Sequence, residues 1–387
     1  MGYDRLYFLK KAFAIYPGLV RPVSGDFLAD HYRRRRRRRN PLRAAIDLAV
    51  GAGFRAWIPF RARTVQRKFG YDDGWRRRTI AIARERFADP NDIALFRIDD
   101  PAALDGYIRR FEDAALNKIV NPIGWTAGCA LADKARFYER CLAHRLPHPE
   151  VIATLRDGRI EHGAEPGGRD LIAKPADGEG GDGVQMIGTF ADRPSLDAEL
   201  RRRFSTSGVT WIVQPRVGIH PDLADLALGA LPTVRIVTIL DEQGAPEVVS
   251  ATLRFASDPA ARVDNMKAGG LLSAVDLATG ALGIACKGYG GGDYDTHPVT
   301  GAPIPGRRLP QWEESKSLVV RAHRDAFPDY VIIGWDVAMT EDGPSLIEGN
   351  GKPGVLMPQR AARRGLGTTR YGELLAYNLA RAEQSGG

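Results

Sequence analysis

Three oxygen-bearing side chains stand at strand spacing near the C-terminus. Asp336 interrupts the apolar run Gly334-Trp335-Asp336-Val337, and Glu348 and Asn350 follow in Leu346-Ile347-Glu348-Gly349-Asn350. Residues two apart on a strand face one side. A turn at Glu341-Asp342-Gly343 makes the two runs antiparallel neighbours, which brings Asp336 to that same side. A carboxylate inside a strand is costly unless it is paired or metal-bound. Two carboxylates and an amide are the hard ligands that Mg²⁺ takes while it also holds nucleotide phosphates. The competing reading, a strand-end Asp beside a polar turn, is the less favoured of the two.

A second group lies upstream. Lys174-Pro175 end a short apolar run, glycines occupy 178, 180, 181 and 183, and a second apolar run starts at Val184. This reads as strand, Gly-rich loop, strand. Gly180, Gly181 and Gly183 let backbone N–H groups approach a phosphate, and Lys174 adds a point charge. The loop is not a Walker A motif, since no Gly-Lys-Ser/Thr follows and no helix opens behind it. A plain hairpin with a flexible turn is the bland alternative. Arg235 and Arg254 sit in two strands joined by the turn at 241–244. Guanidiniums placed there can neutralise charge on a transferring phosphoryl group, or can be edge-strand solubility residues. Asn265 opens a Gly-ended loop, 265–270, suited to phosphate or acyl-phosphate contact.

The elements that must position these groups are mostly antiparallel strands with helices between them, an α+β pattern rather than a doubly wound one. Helices are expected at 3–15, 44–60, 74–87, 102–118, 134–145, 194–204, 312–326 and 371–383. Strands are expected at 150–154, 171–174, 184–187, 210–214, 232–240, 247–255, 271–275, 282–286, 330–337 and 345–347. The expected division is a basic, mainly helical segment over 1–120, a first lobe over 121–217 with the Gly-rich loop, and a second lobe over 218–387 with the carboxylates.

Composition bounds the class. The 387 residues are 44% hydrophobic and 26% charged, ordinary values for a soluble globular protein. No apolar run reaches the roughly 18 residues of a membrane span, and Asp4, Arg5, Lys10 and Lys11 break any signal-peptide pattern. Cys129, Cys141 and Cys286 fit neither a zinc pattern nor a disulfide framework, so free thiols and a cytoplasmic location are expected. The net charge of +8 is uneven: residues 1–120 hold 26 Lys/Arg against 14 Asp/Glu, and residues 121–387 hold 29 against 33. Seven arginines at 33–39 precede the largely apolar stretch 44–60. Such a block can lie on an anionic membrane surface or carrier, peripheral to the membrane. The favoured reading is a solvated helix face followed by a helix packed on the main domain. Specific nucleic-acid binding has little support, because no aromatics interleave with the basic residues and no binding module is recognisable.

The order of these parts resembles the ATP-grasp superfamily over residues 121–385, with a glutathione-synthetase-like ligase core. His220-Pro221, the run 232–238 and the long helical lead make it most similar to the sugar-transfer-associated ATP-grasp family. The resemblance implies two α+β lobes sandwiching ATP. It implies that Lys134, at the head of a helix, and Lys174 hold phosphates, and that the loop 178–183 covers them. It implies a hinge strand around Gln214, Arg216, Val217 and His220 that reads adenine, with Gln214 where many relatives carry Glu. Asp222 and Asp225 are the candidates for a ribose-binding acid. Asp336, Glu348 and Asn350 would hold two Mg²⁺, and Arg254, Arg235 and Asn265 would stabilise an acyl phosphate. The implied activity is an ATP-dependent carboxylate–amine or carboxylate–thiol ligase in polysaccharide or secondary-metabolite biosynthesis, with small-molecule substrates and a homodimer common among relatives. Two alternatives are a kinase acting on a small-molecule or sugar hydroxyl, and a non-enzymatic protein binding polyanions or a membrane surface.

Overall fold

A computed structural model describes residues 27–177, 183–204, 208–259, 269–288 and 291–385. The helix expected at 3–15, Gly180, Gly181 and Asn265 lie outside the described residues. The described chain runs α1 (Ala29–Arg37), α2 (Pro41–Phe69), α3 (Asp73–Arg86), α4 (Pro90–Phe96), α5 (Arg110–Val120) and α6 (Lys134–Ala143). Strands β1 (Ala153–Arg156), β2 (Arg159–His162), β3 (Asp170–Pro175) and β4 (Gln185–Thr189) follow, then α7 (Arg193–Phe204) and β5 (Trp211–Pro215). The remainder is β6 (Thr233–Leu240), β7 (Pro246–Phe255), β8 (Leu271–Ala274), β9 (Ala285–Cys286), β10 (Asp293–Tyr294), α8 (Trp312–Ala326), β11 (Ile332–Thr340), β12 (Gly343–Asn350), α9 (Leu356–Ala362) and α10 (Arg370–Ser385).

The strands form two antiparallel sheets. The smaller has the order β2-β1-β5-β3-β4, the larger β10-β9-β8-β7-β6-β11-β12. The architecture is thus α+β, with helices preceding and flanking the sheets. The small sheet packs Leu171, Ala173 and Val213 against Leu196 and Leu200 of α7. The main core joins α6 and α8 to the large sheet through Phe137, Phe327 and Trp335, and it also takes in Ile212 of β5. The helical lead is not a detached layer: Leu28, Tyr32 and Leu116 share a core with Val237, Ile239 and Leu374.

Two expected elements need correction, and further elements were not expected. The helix expected at 102–118 is broken: a 3-10 turn spans Pro101–Gly106, and α5 begins only at Arg110. Gln359 bonds both the N–H (2.9 Å) and the carbonyl (2.8 Å) of Ile108, satisfying the backbone where the helix would otherwise continue. The strand expected at 282–286 shrinks to Ala285–Cys286, because the N–H of Leu282 turns away to the carbonyl of Arg307 (2.8 Å). Strand β2 was not expected, although Asp157 (φ 49°) and Gly158 (φ 75°) make the two-residue Asp-Gly turn that favours a hairpin. Helices α4 and α9 were also missed; every residue of α4 is buried, so it shows no amphipathic period.

Candidate functional site

The site begins as one row across three strands. Register pairs Arg235 of β6 with Asp336 of β11, and Asp336 with Glu348 of β12, while Asn350 lies opposite Gly334. Directly opposed residues share a face. The Arg235 guanidinium grips Asp336 through Nε to Oδ1 and through Nη2 to Oδ2 at 3.0 Å. Arg254 of β7 reaches the same Oδ2 at 2.7 Å and donates to the Thr233 hydroxyl at 2.8 Å. Asp336 is 2% exposed, so this carboxylate is buried and fully paired. Burial opposes its ionisation, but the charges of Arg235 and Arg254 outweigh burial and hold its pKa well below the usual range.

The register slips between Asp336 and Val337, so Ile347 has no cross-strand partner. This bulge frees the Ile347 carbonyl, which accepts the Tyr138 hydroxyl at 2.6 Å. Tyr138 lies four residues after Lys134 on α6, hence on the same helix face. Its oxygen in turn accepts from Lys174 Nζ at 2.7 Å. Gln214 donates to the carbonyl of Pro149 at 2.8 Å. The head of α6 is fixed to the small sheet: the Lys134 N–H donates to the carbonyl of Ala176 at 2.9 Å, and Asp133 caps the helix from Ala135. Lys134 Nζ lies 3.7 Å from Glu348.

Two groups in this network have displaced protonation. Burial, then the charge of Lys134, push Lys174 down to about 7, with Glu348 opposing. Burial, then the charge of Asp336, push Glu348 up, with Lys134 opposing. Asn350 Nδ2 sits 3.4 Å from Glu348 Oε1. Among the described residues no three His, Cys, Asp or Glu side chains converge as a metal group. The available donor set is two carboxylates and an amide, the oxygen donors that a hard divalent cation takes. A cation beside Glu348 would relieve the repulsion that raises its pKa. Glu348 and Asn350 can meet it directly, whereas Asp336 must first surrender an oxygen from Arg235 or Arg254.

Other sequence candidates stand apart from this network. Gly183 keeps φ +82°, and a Cβ there would meet Pro175 at 2.8 Å, so the close of the β3–β4 loop requires glycine. Arg216 is exposed and donates to the Gly229 carbonyl at 3.0 Å; Val217 follows it, half-buried. His220 accepts from the N–H of Asp222 at 3.2 Å, and Asp225 pairs with Arg307 at 2.7 Å. Tyr138 and Thr233 were missed from sequence. The spacing of Tyr138 from Lys134, and of Thr233 from Arg235, is the signal that locates them.

No curated protein matches the sequence. Solved structures of similar shape include a D-alanine–D-alanine ligase from Bacillus anthracis complexed with ATP, 12% identical, covering 67% of this chain and 69% of that one, with a TM-score of 0.40. The biotin carboxylase domain dimer of the Hydrogenobacter thermophilus 2-oxoglutarate carboxylase, complexed with MgADP, is 13% identical over 67% of this chain and 47% of that one, TM-score 0.37. An L-amino acid ligase from Bacillus licheniformis is 12% identical over 63% and 49%, TM-score 0.36. Residues 126–371 match the family described as sugar-transfer associated ATP-grasp, a stretch that contains all of the network above. ATP-dependent ligase activity is the general activity that this match supports, and the chain belongs to the sugar-transfer associated ATP-grasp family.

Proposed function

We propose that the chain is an ATP- and Mg²⁺-dependent ligase that joins a carboxylate to an amine or thiol through an acyl phosphate. The observation that carries this reading is the continuity of Lys174, Tyr138, Lys134, Glu348, Asp336, Arg235 and Arg254 across both sheets. Lys134 and Lys174 bind the phosphates of ATP, with the loop around Gly180, Gly181 and Gly183 covering them. The segment from Gln214 through Arg216 and Val217 to His220 takes the adenine. Glu348 and Asn350, with Asp336, would hold Mg²⁺, which would supply charge neutralisation to the transferred phosphoryl group. The substrate carboxylate oxygen attacks the γ-phosphorus and ADP leaves. The amine or thiol then attacks the carbonyl carbon, and phosphate leaves. Arg254 and Arg235, with Asn265, offset negative charge on the acyl phosphate and on the tetrahedral oxyanion. A place in polysaccharide biosynthesis is proposed from the family's description, sugar-transfer associated, alone.

Hydroxylamine tests the chemistry. With MgATP and pooled carboxylic acids, the account expects a hydroxamate to form in step with ADP. Phosphorylated alcohol without hydroxamate would instead establish a kinase and overturn the ligase reading.

A further inference from the structure

Helix α2 carries two mostly apolar lines over its first five turns, with Arg43 and Arg55 beside them. One line, Asp47, Gly51, Phe54, Ile58, Ala62 and Val65, is buried. The opposite line runs Leu42, Ala45, Ile46, Ala49, Ala52, Gly53, Ala56 and Phe60, and holds no charged or polar side chain. Leu42 is 73% exposed, Phe60 74%, Leu48 64% and Ile46 43%. Leu42, Ile46 and Phe60 share this line, whereas Leu48 lies off it, and these four are half of the eight large hydrophobics exposed among the described residues. An exposed apolar line on a helix whose other line is already buried marks a surface for a second apolar neighbour. No helix of the described residues is long and apolar enough to cross a membrane, so α2 would lie on a bilayer rather than span it.

Charge selects the occupant. Residues 27–87 carry 18 Lys/Arg against 5 Asp/Glu, a surplus larger than that of the whole chain. Part of the 33–39 run is engaged internally: Arg34 with Glu383 at 2.6 Å and Arg39 with Asp47 at 3.2 Å. Arg33, Arg37 and Arg38 are exposed ahead of the apolar line, and Arg63 and Arg67 are exposed where it ends. Arg63, Arg67 and Arg76 line one open cleft with Gln66, Tyr71 and Asp73. A second copy docked on this face would set two such basic surfaces against each other. An anionic bilayer complements both the apolar line and its flanks.

We infer that α2 lies flat on an anionic phospholipid surface, with Leu42, Ile46 and Phe60 at the acyl boundary and the flanking arginines on headgroup phosphates. Vesicle flotation tests this, with phosphatidylcholine vesicles containing or lacking phosphatidylserine, at low and high salt. Wild type should float with the anionic vesicles, and raised salt should weaken the binding. Leu42→Ser combined with Phe60→Ser should lower binding at least about tenfold, as expected for lost apolar contact. Arg63→Gln with Arg67→Gln should weaken it and flatten the salt dependence. Both pairs alter exposed side chains, and unchanged circular dichroism shows that they fold. Three results would overturn the inference: wild type that stays behind; a Ser variant that floats like wild type; or a dimer that the Ser variant converts to monomer.

Discussion

The two sheets contribute unlike halves to the site. The large sheet supplies a finished electrostatic unit, in which Asp336 is locked between Arg235 and Arg254. The small sheet supplies a cation in waiting: Lys174 is 6% exposed, its ammonium bonds the neutral Tyr138 hydroxyl, and its pKa falls to about 7. One half is preorganised without a ligand; the other is completed by an anion. Helix α6 joins them, tied to the end of β3 at one residue and to the bulge of β12 at another. The difference teaches where ligand binding should register first: at the two lysines and Glu348, with the arginine–aspartate unit responding only when a cation takes an oxygen of Asp336.

The largest effect should come from breaking the finished unit. Asp336→Ala leaves Arg235 and Arg254 facing each other, partly buried and without their shared anion. Removing one partner of a buried pair costs about 3–5 kcal/mol. Thermal unfolding should show a large drop for this variant and loss of turnover; an unchanged midpoint would mean that the unit is not structural.

The waiting half should behave oppositely. The folded pKa of Lys174 lies near 7 and below the ordinary lysine value of 10.5, so between these values the unfolded chain binds more protons. Ligand-free stability should therefore rise with pH across that window, with a slope of at most about 1.4 kcal/mol per pH unit. Lys174→Met should flatten this slope and raise ligand-free stability at neutral pH, while weakening nucleotide binding. An unaltered slope in the variant would assign the pH dependence elsewhere.

Much of the site was legible because its residues disturb regular patterns. Asp336 breaks an apolar strand, and Glu348 and Asn350 keep strand spacing behind a turn, so their shared side followed from period two alone. Long elements such as α8 and the β6–β7 hairpin were legible for the same reason. Tyr138 was not, because an aromatic on an amphipathic helix reads as core. Its role depends on the freed Ile347 carbonyl, which a bulge creates and no local pattern announces. The break before α5 was hidden because its cause, Gln359, lies some 250 residues away in sequence. Helix α2 was read as packed on the main domain, and one of its faces is buried with Leu356 and Met357; composition does not reveal which of its two apolar lines finds that partner.

The most direct test of the central claim is thermal unfolding of wild type and Glu348→Gln with ATP, with Mg²⁺ and with both. Glu348 joins the two halves, since it lies opposite Asp336 and 3.7 Å from Lys134. A ligand that binds only the folded state at one hundred times its Kd stabilises by about 2.7 kcal/mol. The account predicts a rise in wild type that needs both ATP and Mg²⁺, and its loss in Glu348→Gln with the ligand-free midpoint retained. An equal rise in the variant, or none in wild type at saturating MgATP, would contradict it.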